Sequence, residues 1–177
     1  APGGLESLAL DLLAFSTPLN KVMIVSLEGE KKKAIENWPR LKPFANQIHF
    51  LEKKPGVKLH TLSQLVKTFN VIKPDVVHTH HIGPLLYAGL ASRLTSVPVR
   101  IHTEHDVWHL NNEKHVRLEK MALNVAKPQL VADANLVEET LLNHFSYNNT
   151  TTIKNGVDCE KFSPGRKDLA RAHFNLP

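Results

Sequence analysis

From Leu5 the apolar residues recur at Leu8, Ala9, Leu12 and Leu13, the spacing of one helical face, and Glu6 stands in the first turn, where the helix dipole favours an anion. The pattern predicts an amphipathic helix entered through Gly3 and Gly4. Thr17-Pro18-Leu19-Asn20 breaks it, and residues 21–27 follow as a short, nearly continuous apolar strand of the kind covered on both faces. Another short strand is expected at 47–51. The polar stretch 28–46, carrying Pro39 and Pro43, predicts a weak helix and a loop.

The second half repeats strand and helix more regularly. Leu62, Leu65, Val66 and Phe69 give residues 59–69 a helical face, and Pro74 hands over to a strand at 75–80. A helix at 84–95 with Pro84 near its first turn, a strand at 98–103 and a helix at 112–126 come next. A strand is predicted at 129–133, then a helix at 136–145 begun by a capping-box-like Asn135 and Glu138. A last strand at 151–154 ends in the turn Asn155-Gly156, and a short basic helix follows at 166–174. Alternating strands and helices imply right-handed parallel crossovers, so the expected fold class is α/β, a doubly wound, Rossmann-like parallel sheet. No repeat of fixed period argues for a solenoid.

Composition narrows the class. With 177 residues, 42% hydrophobic and 22% charged, the chain matches one ordinary globular domain with a core large enough to need no disulfide. The single Cys159 leaves no intrachain bridge, which suits a reducing, cytoplasmic setting. No apolar run approaches the roughly 20 residues that cross a bilayer. The net charge of +5, concentrated at Lys31, Lys32 and Lys33 and at Lys53 and Lys54, suits anionic partners such as a phosphate or the surface of an anionic membrane. Nucleic acid is not expected, because aromatic residues are not interleaved with the basic ones. Asn148-Asn149-Thr150 and Asn149-Thr150-Thr151 are formal glycosylation acceptors, read as an incidental polar turn in a cytoplasmic chain.

Candidate chemistry gathers where strands end. In an open parallel sheet the ligand lies beyond the carboxyl ends of the strands, where helix N-termini also point. Gly3 and Gly4 would let backbone N–H groups at the first helix approach a phosphate. Asp75-Val76-Val77-His78-Thr79-His80-His81 carries imidazoles out of a buried strand, with His78 and His80 on one face. Ile101-His102-Thr103-Glu104-His105-Asp106 ends the next strand similarly, with Trp108 and His109 beyond, so six of the 11 histidines lie in two stretches. Each alone is more readily a structural histidine. Together they are compatible with a metal site, although their spacing matches no metal signature, or with a polar pocket in which neutral imidazoles donate to and accept from sugar hydroxyls.

In order along the chain, Gly3-Gly4-Leu5-Glu6, Asp75-Val76-Val77-His78-Thr79-His80, Thr103-Glu104-His105-Asp106 and Ile153-Lys154-Asn155-Gly156-Val157-Asp158, with Phe162-Ser163-Pro164 after the last, resemble the N-terminal domain of the family 4 glycosyltransferases of the GT-B fold. The resemblance spans nearly the whole chain, and the last piece is its most specific part. It implies a retaining transfer of a sugar from a nucleotide-sugar donor to a glycan or lipid-linked acceptor, without a cofactor or obligatory metal. His105 becomes the catalytic-site candidate. Gly3 and Gly4 would face the donor diphosphate, and His80, Glu104, Asp106 and Trp108 would shape the acceptor pocket.

On this reading residues 1–164 form the acceptor-side domain and 165–177 begin a linker to a donor-binding domain, so the chain alone is expected to be inert. The chain opens on Ala1-Pro2-Gly3 without an initiator Met, as a piece of a longer protein would. The family places a strand before its glycine loop, and here only Ala1 and Pro2 precede it. That strand is central in the doubly wound order, so a slot with unpaired strand edges, or a rearranged strand filling it, is expected. The rival readings are a non-catalytic carbohydrate- or nucleotide-binding α/β module and a metallohydrolase using His78, His80, His102 and His105.

Overall fold

The computed structural model describes residues 3–147 and 149–177. Ala1 and Pro2, ahead of the glycine entry, and Asn148, the first glycosylation acceptor, lie outside the described residues. In chain order the elements are α1 (Gly4–Ala14), β1 (Ile24–Ser26), α2 (Lys31–Asn37), a 3-10 turn (Pro39–Phe44), β2 (Ile48–Phe50), α3 (Leu59–Ile72) and β3 (Val76–His80). A helical stretch follows as α4 (Ile82–Pro84), a π-helical segment (Leu85–Gly89) and α5 (Leu90–Leu94). Then come β4 (Val99–Glu104), a 3-10 turn (Trp108–Asn111), α6 (Glu113–Ala126), β5 (Gln129–Ala132), α7 (Asn135–Phe145), β6 (Thr150–Thr152) and α8 (Lys167–His173).

All strand pairs are parallel, as the alternating pattern requires. They form two sheets, β1-β2 and β3-β4-β5-β6. The break falls between β1 and β3, where the sequence reading expects a slot, and none of the described residues pairs into it. β1 is shorter than expected and half-buried along its length rather than covered on both faces, because it has a ladder partner only in β2.

Three clusters make the core. Leu10 and Leu13 of α1 pack with Leu41 and Ile48 over β1 and β2. Leu65 and Phe69 of α3 pack with Val77, Tyr87, Ala91 and Val97, and Val25 of β1 and Leu27 just after it join this cluster. The largest cluster joins Leu123 and Ala126 of α6 to Leu130 and Ala132 of β5 and to Leu141 and Phe145 of α7. Tight packing of the π-helical segment on α6 explains Gly89: a Cβ there would lie 3.1 Å from the Ala126 Cβ and 3.1 Å from Leu85 Cδ1.

The strands enter the sheet by a repeated device. α3 and α6 each end in a left-handed lysine, Lys73 and Lys127, whose N–H returns to a helical carbonyl, and a proline follows at once. The proline forbids further helix and releases the chain into β3 or β5. Arg100 of β4 adds a bond from its Nε to the Ala126 carbonyl at 2.7 Å, tying the last turn of α6 to the neighbouring strand. One expected cap is corrected. The residue preceding α7 is Ala134, with no side-chain cap, and Glu138 accepts instead from the Thr152 hydroxyl at 2.6 Å, fastening α7 to β6.

Candidate active site

Because β3, β4, β5 and β6 run parallel, their carboxyl ends share one edge, and His80, Glu104 and Ala132 are the last strand residues there. Register decides which side chains meet. Thr79 stands beside His102 and His80 beside Thr103, so side-chain alternation sends His78, His80 and Thr103 to one face and Thr79, His102 and Glu104 to the other. The four histidines named for a metallohydrolase are thereby divided between the two faces of the sheet.

On the first face, His78 Nε2 lies 2.7 Å from Thr103 Oγ1, and the His78 and His80 rings lie 4.2 Å apart between centroids, tilted by 37°. His80 Nδ1 lies 2.9 Å from His105 Nε2. His105 Nδ1 lies 3.4 Å from Asp133 Oδ2, which also accepts from Asn155 Nδ2 at 3.0 Å. With the carboxylate accepting from its Nδ1–H, His105 presents an Nε2 lone pair to the Nδ1–H of His80, which leaves His80 Nε2 as an acceptor. A line of polar side chains, Asn155 to Asp133 to His105 to His80, thus crosses the ends of β6, β5, β4 and β3.

Burial governs the protonation of this line. Desolvation holds the His80 imidazole down to about 3 and that of His78 to about 4, with neighbouring imidazoles adding to the effect. Burial also lowers His105, and the adjacent Asp133 carboxylate opposes it. At neutral pH all three are uncharged, able both to donate and to accept hydrogen bonds. His81 is held at a φ of 65°, a left-handed backbone unusual for a residue with a Cβ, where β3 turns directly into α4. Its ring lies 3.9 Å from Asp106 Oδ2 and 3.9 Å from Glu104 Oε2.

The loop after β4 sets the outer rim. Asp106 Oδ1 accepts from the Trp108 N–H at 3.3 Å, and Trp108 is 81% exposed, so its indole faces solvent. The structure therefore brings His80, His105, Asp106 and Trp108 of the predicted set to one rim. Glu104 requires a correction: its carboxylate is fully buried, 2.7 Å from His102 Nε2, and strand alternation turns it away from the rim. Gly3 and Gly4 open α1, which packs on β1. Gly3 N–H is bonded at 2.7 Å to Glu6 of its own first turn, and neither glycine is hydrogen-bonded to the histidine rim.

Asp133 and Asn155 escaped the sequence reading. Asp133 follows β5 at the same crevice edge as His105 follows β4, and the rule that placed one would have found the other. Asn155 was read only as a turn. Glu119 was also missed, although it sits between Val116, Ala122 and Leu123 on the buried face of α6, an unlikely place for a charge without a partner.

Residues 2–161 match Glycosyltransferase Family 4, and the chain belongs to that family. Over 113 residues it is 29% identical to the UDP-Gal:alpha-D-GlcNAc-diphosphoundecaprenol alpha-1,3-galactosyltransferase of Escherichia coli, an alignment covering 60% of this chain. The same alignment spans 29% of that relative's length. No solved structure matches the chain significantly. Among the described residues no helix is long and apolar enough to cross a membrane.

Proposed function

We propose that this chain is the acceptor-side part of a glycosyltransferase that moves a hexosyl group from a nucleotide-sugar to a lipid-linked, diphosphate-bearing acceptor. The observation that carries the reading is the uncharged His80-His105 pair, backed by Asp133, at the carboxyl ends of adjacent parallel strands. Neutral imidazoles there can bond sugar hydroxyls without holding a charge that the developing, cation-like sugar would oppose. His105 lies at the reacting end, and Asp133 orients its ring. His80 sets the position of His105 from the other side, and Trp108 offers an apolar face to a sugar ring.

Under this reading residues 1–164 form the domain, 165–177 lead toward a donor-binding part that supplies most nucleotide contacts, and Gly3 and Gly4 face the donor diphosphate. The lipid diphosphate acceptor named for the galactosyltransferase relative and the net charge of +5 support an acceptor held at the cytoplasmic surface of an anionic membrane. Transfer with retention belongs to the same proposal and would appear in the coupling constant of the product's anomeric proton.

Calorimetric titration of the purified chain with a short-chain polyprenyl diphospho-N-acetylglucosamine analogue tests the proposal. Binding weakened at least tenfold by His105→Ala, in a variant that unfolds at the wild-type temperature, is the expected result. Equal binding by both proteins would overturn it.

A further inference from the structure

Behind the histidine rim, on the opposite face of β4, the interior holds an ionisable cluster that sugar transfer does not use. His102, Glu104 and Glu119 are all 0% exposed. One ligating atom from each lies within 4.8 Å of the other two. His102 Nε2 is 2.7 Å from Glu104 Oε1, and Glu119 Oε2 is 2.6 Å from His109 Nε2. The remaining oxygens of both carboxylates, Glu104 Oε2 and Glu119 Oε1, are buried without a hydrogen-bond partner. Two carboxylates out of water, each with an orphan oxygen, need a proton or a cation to offset their charge, and the ring of His81 stays 3.9 Å from Glu104 Oε2.

The tautomer of His102 points the same way. Thr79 Oγ1 lies 2.8 Å from His102 Nδ1 and 3.3 Å from the Ile101 carbonyl. A hydroxyl donating to that carbonyl accepts from the Nδ1–H of His102, and the ring's Nε2 lone pair then faces a carboxylate oxygen. Two acceptors facing each other at 2.7 Å require a proton or a cation between them.

We propose that His102 Nε2 and the carboxylates of Glu104 and Glu119 form a structural site for one divalent cation of the zinc class. One imidazole with two carboxylates is a donor set such an ion accepts, and its two charges match the two carboxylates. The supporting contacts are present: Thr79 orients the ring of His102, and His109 bonds the outer oxygen of Glu119. Two ligands come from β4 and one from α6, so the ion clamps this helix to the strand that ends one residue before His105. It takes no part in the transfer chemistry, because sheet alternation places it on the face away from His80.

The chain, stripped with a chelator and dialysed, would be titrated with zinc chloride by calorimetry and melted with and without zinc. One zinc per chain and a raised melting temperature are expected, with affinity reduced at least tenfold in Glu119→Gln. A His78→Asn/His80→Asn double variant, lacking imidazoles of the rim, keeps the stoichiometry. Zinc-edge X-ray absorption on the unaltered chain serves whether or not Glu119→Gln folds: nitrogen and oxygen neighbours without sulfur from Cys159 are expected. Absence of stoichiometric zinc in the wild type, zinc lost in the double variant but kept in Glu119→Gln, or a sulfur neighbour would each overturn the site. None of these outcomes depends on acceptor binding at the rim.

Discussion

Replacing Asp133 by Asn removes one charge while keeping the shape of the contact. Asp133 Oδ2 lies 3.4 Å from His105 Nδ1 and accepts from Asn155 at 3.0 Å, and an amide oxygen in the same place can still accept from both. The change is therefore electrostatic. Asp133 is what opposes the burial that lowers His105, and an opposite charge at this range shifts a pKa by about 1–3 units. The contact is long and near solvent, with side chains 11% and 14% exposed, which places the effect at the low end, near 1 unit or about 1.4 kcal/mol. The imidazole signals of the purified chain, followed by NMR through a pH titration, should show His105 titrating about 1 unit lower in Asp133→Asn. His105 would already lie below its free value of 6.5, so the variant should also lose more stability as the pH falls below 6.5. A His105 pKa that is unchanged or higher in the variant would refute the assigned orientation.

Two other outcomes can be measured on the same chain. Leu123→Ala, at a site 1% exposed where α6 meets β5 and α7, should cost about 2–5 kcal/mol in urea unfolding, and a loss under 1 would deny that this cluster is the main core. The melting temperature should fall as the pH drops from 7 toward 5, because His78 and His80 are held to about 4 and about 3 in the fold but regain 6.5 on unfolding. The unfolded chain then binds more protons, so this stability is present above 6.5 and lost below it, by at most about 1.4 kcal/mol per pH unit for each histidine before solvent screening. Burial also lowers His102 to about 4 and raises Glu104 to about 7, so between 4.5 and 6.5 the folded pair holds one proton, as the unfolded pair does, and contributes little slope. His109, raised by its bond to Glu119, works in the opposite direction. His80→Asn should flatten the acid limb; a wild-type melting temperature that holds steady or rises toward pH 5 would contradict it.

Elements were legible wherever one chemical signal acted within a few residues. Lys73-Pro74 and Lys127-Pro128 end helices by local backbone rules, and the face of Leu62, Leu65, Val66 and Phe69 marks α3 by periodicity alone. The break between β1 and β3 was expected from the family resemblance, which implies a strand before Gly3-Gly4 where only Ala1 and Pro2 stand. The site was only half legible. His80 and His105 share a strand-end pattern visible in sequence, but their bond to each other depends on register, which the sequence does not print. Asp133 and Asn155 join them from β5 and beyond β6, across 22 residues of sequence. Glu104 and Glu138 misled for different reasons: strand alternation turns Glu104 inward onto His102, two residues back on the same strand, whereas Glu138 found a distant partner, Thr152, that outweighed its local preference as a cap.

The central claim is that His80, His105 and Trp108 form one wall of a sugar-transfer site. It is met most directly by mapping, with NMR of the backbone amide, imidazole and indole signals, where a polyprenyl diphospho-N-acetylglucosamine analogue touches the chain. The account predicts saturable shifts at His80, His105 and the Trp108 indole, lost together in His105→Ala. Shifts confined to the cleft of Phe69, Lys73, Asp75 and Pro98 at the opposite ends of the strands, or none from a folded chain, would contradict it.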